Sequence, residues 1–239
     1  MSQQPIELYY WPTPNGWKIS IMLEEIGLPY EVHEVNITQG DQFDDWFLEI
    51  SPNNKMPAIV DPDGPGGKPL ALFESGAILL YLADKTGQLI PQDRAAYYGT
   101  VQWLMFQMGS LGPMAGQAHH FRNYAPEKLR YAIDRYTNEV HRIYNVMDRR
   151  LGETTHVAGN EYSIADIACW PWVKSYENQG QDIDEFPNLK RWFDELGARP
   201  AVQKGVELLA ERRSSGRTGG AFDEKAQEIL FGKAQYQRR

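Results

Sequence analysis

Two short stretches in the first third of the chain combine residue types that can hold a small peptide. One is Ser51-Pro52-Asn53-Asn54-Lys55-Met56-Pro57, directly ahead of the apolar run Ala58-Ile59-Val60. The other is Glu74-Ser75-Gly76, which follows Leu70-Ala71-Leu72-Phe73. A proline at the mouth of a strand cannot donate to the ladder, and X-Pro bonds are where cis peptides occur. A cis bond at Pro57 turns the adjacent amide and carbonyl outward, where they can pair with an extended peptide as a strand edge does. Glu74-Ser75 falls where a strand gives way to a helix. The free N–H groups and partial positive charge of a helix start suit a peptide carboxylate. The same residues also fit a plain strand, turn and Ser-capped helix.

A third stretch, Trp11-Pro12-Thr13-Pro14-Asn15-Gly16, offers different chemistry. Thr13 can donate through its hydroxyl and Asn15 through its amide. Both stand at the start of a predicted helix, where the dipole favours an anion. Thr13 and Asn15-Gly16 also suit a turn and helix start with no ligand.

The elements that position these residues follow from periodicity. Ile6, Leu8 and Tyr10 alternate as a first strand. Ile19, Met22, Leu23 and Ile26 recur at helical spacing and stop at Gly27. Tyr30 to Val35 reads as a second strand. Ala58 to Val60 and Leu70 to Phe73 form a hairpin across a Gly/Pro-rich turn. Ser75 to Thr86 is a helix closed by Gly87, and Asp41 to Ile50 has room for a further helix. The order β-α-β then β-β-α is that of a thioredoxin-like sheet.

Beyond about Gln92 only helices are predicted. Tyr97, Val101, Leu104, Met105 and Met108 make one stripe. Leu129, Ile133, Tyr136, Val140, Ile143, Met147 and Leu151 make a second. Ser163-Ile164-Ala165-Asp166 has the pattern of a capping box. The division predicted is residues 5–88, 93–213 and a tail, 214–239. The tail opens with a flexible Ser214-Ser215-Gly216-Arg217-Thr218-Gly219-Gly220 stretch and continues into a short amphipathic helix around Phe222, Ala226, Ile229 and Leu230.

Composition narrows the function. The 239 residues carry 24 basic and 32 acidic side chains, a net charge of -8. That gives no electrostatic case for nucleic acid. Arg149-Arg150, Arg212-Arg213 and Arg238-Arg239 are expected to be solvated helix ends. No apolar run approaches the roughly 20 residues of a membrane span. The start lacks a basic-then-apolar signal pattern, so the cytoplasm is the expected compartment. One cysteine, Cys169, makes neither an internal disulfide nor a multi-cysteine metal site. It is expected to be buried and inert beside Trp170.

Over about residues 5–213 the order of elements and motifs resembles the glutathione transferase superfamily. The longer stretches Pro12 to Gly16, Gly40-Asp41-Gln42-Phe43, Ser51 to Pro57, Leu111-Gly112-Pro113-Met114, His119-His120-Phe121 and Ile164 to Trp172 are similar to its nu class. These are glutathione-dependent disulfide-bond oxidoreductases, also similar to the globular domain of a yeast nitrogen-regulator prion protein. The resemblance implies a thioredoxin-like N-terminal domain, an all-helical C-terminal domain, a homodimer, and glutathione as co-substrate with no metal. It implies reduction of small disulfides without a protein cysteine in the exchange. Glutathione transfer to electrophiles or hydroperoxides, and a non-enzymatic glutathione-binding regulator, are the alternatives.

Carried over residue by residue, the resemblance implies Asn15 and Thr13 beside the glutathione sulfur. Gln42, the main chain of Met56, Glu74 and Ser75 hold the peptide, and Lys55 stands at its glycyl carboxylate. Arg135, in Ala132-Ile133-Asp134-Arg135-Tyr136, reaches across a dimer toward a second glutathione. Tyr9 and Tyr10 rank below Asn15 as partners of the sulfur. His119 and His120 follow a helix rich in Gly and Met and read as partly buried structural residues rather than catalytic ones. A thiol of pKa ~8.5 is only about 3% ionised at pH 7. Lowering it by ~2 units takes ~2.7 kcal/mol of differential stabilisation. One or two charge-assisted hydrogen bonds and a helix end supply that without a basic side chain.

Overall fold

The computed structural model describes residues 4–218 and 221–237. Gly219-Gly220 and Arg238-Arg239, on which two of the expectations above partly rest, lie outside the described residues. The chain forms two compact units. One comprises residues 1–78 and 204–239, the other residues 79–203. This contact-based division groups the tail with the N-terminal stretch and cuts through the helix that begins at Ser75.

In the first unit, β1 (Ile6–Tyr10) leads through α1 (Pro14–Ile26) to β2 (Tyr30–Glu34). A 3-10 turn at Asp41–Phe43 and the one-turn α2 (Asp45–Leu48) precede β3 (Ala58–Asp61), β4 (Leu70–Phe73) and α3 (Ser75–Thr86). The sheet order is β2-β1-β3-β4. β1 pairs with β2 in parallel and with β3 antiparallel, and β3 pairs with β4 antiparallel. Leu8 sits opposite both Val32 and Ile59, at the centre of the sheet.

Alternation along β1 sets the two faces. Ile6, Leu8 and Tyr10 are all buried, and α1 is buried from Gly16 through Leu23. Tyr9 points to the other face, into a cluster with Trp11, Val35, Phe47, Met56 and Ala58. Each such aliphatic or aromatic side chain stabilises the fold by about 1.5–3 kcal/mol on burial. Gly27 ends α1 at φ 68°, donating its N–H to Leu23 O at 3.0 Å. That left-handed geometry costs a glycine little.

In the second unit, α4 (Arg94–Phe106) runs into a π-helical turn, Gln107–Leu111, then α5 (Gly112–His119) and another π-turn, His120–Tyr124. The long α6 (Arg130–Glu153) follows, then α7 (Ile164–Val173) and α8 (Pro187–Gly197). The capping box is present. Ser163 accepts from Ala165 N, while Asp166 accepts from the Ser163 N–H at 3.0 Å and Trp192 Nε1 at 2.8 Å. The predicted stripes are only partly core. On α6 Val140, Ile143, Met147 and Leu151 are buried, but Leu129, the residue just before the helix, is exposed. On α4 Leu104 is buried and Met105 is 51% exposed. Periodicity marks a face without saying what covers it.

α9 (Pro200–Glu207) leads into the tail. Ser20 Oγ on α1 donates to Gly205 O at 2.7 Å, and a Cβ at Gly205 would lie 2.7 Å from the Ile21 backbone. The tail departs from its expected flexibility. After a 3-10 turn at Ala210–Ser214, β5 (Arg217–Thr218) pairs with β6 (Ala221–Phe222), and α10 (Glu224–Phe231) follows. α10 matches the predicted amphipathic helix. Gly216, read as flexibility, is instead a tight packing point beside Thr38 and Ala226. The described basic pairs stand at helix ends with Arg149, Arg212 and Arg213 exposed, as expected, and they also make contacts. Arg212 holds Glu34 at 2.9 Å, Arg213 lies over Trp17, and Arg150 donates to Val157 O and Ala158 O. No helix among the described residues is long and apolar enough to cross a membrane.

Candidate active site

The start of α1 is built by its own sequence. Thr13 is the N-cap, in extended geometry, with Pro14 at the first helical position, where a missing N–H costs nothing. The Gly16 N–H donates to Thr13 Oγ1 at 3.3 Å. The Thr13 hydroxyl points at Met56 Sδ, 3.5 Å away. Gly16 is what permits this approach. A Cβ there would fall 2.2 Å from Trp11 O and 2.9 Å from both Met56 Cε and a Tyr10 ring carbon. Asn15, one residue earlier, is partly buried.

The second side of the site is the 51–57 loop and the β4–α3 junction. Ser51 Oγ donates to Lys55 O at 2.9 Å, and Asn54 turns at φ 49° with its N–H on Ser51 O. Met56 is buried, and the Met56–Pro57 bond is cis, as expected. Glu74 holds φ 69°, an uncommon conformation for a residue with a side chain. Its Oε1 accepts from Asn53 Nδ2 at 3.3 Å, tying the two motifs together. Ser75 opens α3, buried, and accepts from Lys18 Nζ at 3.2 Å.

Gln42 is 3% exposed. Its Nε2 donates to Ile37 O at 3.2 Å, while its Oε1 is buried with no hydrogen bond among the described residues. Lys55 Nζ donates to Gln235 Oε1 at 3.0 Å. The competing tyrosines are committed elsewhere. Tyr9 OH donates to Glu7 Oε2 at 2.8 Å, and burial, then Glu7, pushes its pKa up to about 12. Tyr10 OH donates to Leu208 O at 3.3 Å, and burial pushes it up as well.

Of the predicted residues, the first unit brings Thr13 to Met56 and links the 51–57 loop to Glu74. Arg135 lies in the second unit, 58% exposed on its side chain, 3.9 Å from Glu139 Oε2. Glu139 is held more closely by Arg142, at 2.7 and 3.0 Å. The guanidinium fork of Arg135 is thus only loosely engaged there. His119 stacks on Tyr124 at 4.9 Å, and His120 is lowered by burial and then by Lys128. Cys169 is fully buried on α7.

Two residues at the site, Lys18 and Gln235, were not predicted, and a third, Asn53, was marked by its motif without a role. Lys18 is buried beside Ser75, and its signal was a lysine standing inside the apolar run Trp17 to Leu23. Asn53 bonds Glu74, and only its place in the motif pointed to it. Gln235 meets Lys55 from 180 residues along the chain, and periodicity carries no such information. Among the described residues no cluster of His, Cys, Asp and Glu is arranged to hold a metal ion.

The family profile of the glutathione S-transferase N-terminal domain matches residues 13–85, and that of the C-terminal domain matches residues 103–200. The chain is 51% identical over 212 residues to the disulfide-bond oxidoreductase YfcG of Escherichia coli, covering 87% of this chain and 99% of that one. It is similar to a glutathione transferase from Burkholderia graminis solved with two glutathione molecules bound per subunit. There the TM-score is 0.81 and the identity 50%, with 85% of this chain and 88% of that one covered. A glutathione transferase from Pseudomonas putida, solved with one glutathione disulfide per subunit, gives a TM-score of 0.82 at 50% identity, covering 86% and 92%. With a thioredoxin-like sheet, a helical second unit and both domain profiles matched, this chain belongs to the glutathione S-transferase family.

Proposed function

We propose that this chain is a nu-class glutathione-dependent disulfide-bond oxidoreductase, a cytoplasmic homodimer that reduces small disulfides with bound glutathione. The observation that carries the reading is a contrast. The sequence has one cysteine, and it is fully buried, while a hydroxyl donor is held at the N-terminus of α1 against a thioether. The sulfurs that exchange therefore belong to the ligands.

The site residues act as follows. Gly16 N–H fixes the Thr13 oxygen, so the Thr13 proton faces outward to the thioether, a weak acceptor that a thiolate outcompetes. Thr13, the Asn15 amide and the first N–H groups of α1 hold the glutathione sulfur as thiolate. The Met56 main chain pairs with the cysteinyl part. Glu74 meets the α-amino group, and Ser75 with the α3 end takes the γ-glutamyl carboxylate. The buried, unpaired Oε1 of Gln42 is an acceptor that a ligand N–H would satisfy, since such an atom costs about 1–3 kcal/mol left alone.

The thiolate attacks one sulfur of the substrate disulfide in line. A mixed disulfide forms, and the other sulfur leaves and takes a proton. A second glutathione thiolate then attacks the mixed disulfide at the glutathione sulfur. Glutathione disulfide forms and the second thiol leaves, so two electrons pass from two glutathiones to one disulfide. Arg135, through the dimer, supplies the cation for the second glutathione's carboxylate. Exposed apolar side chains on α4 and α6, Met105 and Tyr131 (82% exposed), support a dimer.

The test is reduction of cystamine by glutathione, coupled to glutathione reductase, with ligand stoichiometry from calorimetry. Turnover with two glutathiones per subunit, retained in Cys169→Ser, is expected. Transfer to an electrophile with no disulfide reduction, or loss of turnover in a folded Cys169→Ser, overturns the reading.

A further inference from the structure

The C-terminal tail brings Gln235 to the Lys55 side of the candidate site, and it is anchored on the way. Gly216, at φ 66°, has Thr38 Cβ 2.7 Å and Ala226 Cβ 3.0 Å from where its own Cβ would be, so no larger residue fits. Thr38 and Ala226 are each 1% exposed. Asp223 caps α10 by accepting from Ala226 N at 2.8 Å, and its own N–H donates to Gly216 O at 2.8 Å. Lys225 Nζ donates to the Gln39 side chain on the same loop as Thr38.

From α10 the chain turns at Gly232 into the 3-10 turn Lys233–Tyr236. Glu228 holds this turn, accepting from Lys233 N at 2.9 Å. Gln235 Nε2 donates to Ile229 O at 2.6 Å. Because the amide nitrogen is committed to that carbonyl, the amide oxygen is the atom presented to Lys55 Nζ, 3.0 Å away.

We infer that Gln235 is a specificity-determining residue whose side-chain carbonyl competes with the glycyl carboxylate of glutathione for the Lys55 ammonium. This rests on the proposed glutathione site, with Lys55 at the glycyl carboxylate as the family resemblance implies. The Lys55 ammonium is charged against either acceptor, but the carboxylate brings a full negative charge where the amide oxygen brings only a dipole, so the ligand wins and the tail lowers affinity without abolishing it. The effect is confined to ligands that carry a glycyl carboxylate. The tail thereby tunes how strongly this end of the peptide counts.

The experiment measures binding of glutathione and of glutathione amidated at its glycyl carboxylate, by calorimetry, on the full chain. Gln235→Ala is expected to tighten glutathione about threefold, a small gain because water replaces the lost amide at the Lys55 ammonium, and to leave the amidated peptide unchanged. Gln235→Glu, which offers Lys55 an internal carboxylate, is expected to weaken glutathione and again spare the amide. Opposite signs for the two variants support competition. The same sign for both, or equal effects on both peptides, overturns it. Lys55→Ala is expected to weaken glutathione and spare the amide; a Lys55→Ala variant that binds both as wild type does removes Lys55 from the carboxylate and the inference with it. Absence of glutathione binding in the wild type strikes the proposed function itself, whereas normal wild-type binding with silent Gln235 variants strikes only the tail.

Discussion

The glutathione-side region, Thr13 to Ser75, and the N-terminal half of α6 solve opposite problems. The first is closed upon itself. Thr13 caps α1 by accepting from Gly16 N–H, Met56 is packed in a cluster, Asn53 bonds Glu74 and Lys18 bonds Ser75. The second is open. Tyr131 and Leu129 are exposed, and Arg135 holds Glu139 only at 3.9 Å. A preorganised site sets geometry before a ligand arrives and so limits the entropy lost on binding. An exposed arginine among apolar side chains is unfinished within its own unit. The contrast teaches that one region's side chains hold one another within a single unit, while the other leaves apolar side chains and a loosely held arginine exposed.

The largest expected effect breaks the closed region outright. Gly16→Ala places a methyl 2.2 Å from Trp11 O, and backbone cannot yield as a side chain does. A loss of about 3 kcal/mol in denaturant unfolding is expected, together with weakened glutathione binding. Wild-type stability in this variant would mean the helix start is looser than drawn.

Next in size is Glu74. Glu74→Ala is expected to weaken glutathione by ~1.5–3 kcal/mol in calorimetry, the worth of a charged hydrogen bond. Because Glu74 holds φ 69°, Glu74→Asn is the companion, since asparagine tolerates that backbone. Equal loss in both variants assigns the effect to the carboxylate. Unchanged affinity removes Glu74 from the site.

Thr13→Ala removes both a cap and a donor. About 1 kcal/mol of stability is expected to go with the cap. The rate of disulfide reduction is expected to fall roughly tenfold, as one charge-assisted bond to the thiolate is lost. Thr13→Ser keeps both groups and should restore most of the rate. Unchanged turnover in Thr13→Ala would shift the sulfur's stabilisation onto Asn15 and the helix N–H groups.

The open region is tested by Arg135→Ala. A loss of about 1 kcal/mol is expected for glutathione disulfide and less for reduced glutathione, with only partial recovery in Arg135→Lys, whose point charge cannot form the bidentate fork. Equal affinities for both ligands in wild type and variant, with light scattering still reporting a dimer, would return Arg135 to an ordinary surface ion pair. Smallest of all is Cys169→Ser, expected to leave turnover nearly unchanged.

Local signals carried most of the fold. Strands β1 to β4 and helices α1 and α3 fall where alternation, 3.6-residue spacing, Gly27 and Gly87 put them, because these patterns report which side of each element avoids water. The Ser163–Asp166 box was legible for the same reason, since its partners are three residues apart, whereas Thr13 was read as a turn residue and the structure makes it the cap of α1. The α4 stripe misled in part. Its apolar spacing is real, yet Met105 is half exposed, and spacing does not say which surface comes to cover it.

Other features were decided only when distant segments met. Lys18 is buried against Ser75 across 57 residues, Gln235 meets Lys55 across 180, and Gly216 packs into Thr38 rather than loosening the tail. The sequence by itself determined the element order, the helix starts and the chemistry available at Thr13, Asn15 and Glu74-Ser75. Tertiary structure decided which of those groups face one another. Hydrogen bonding and burial act over a few ångströms of space, and separation along the chain says little about that distance once the chain has folded back on itself.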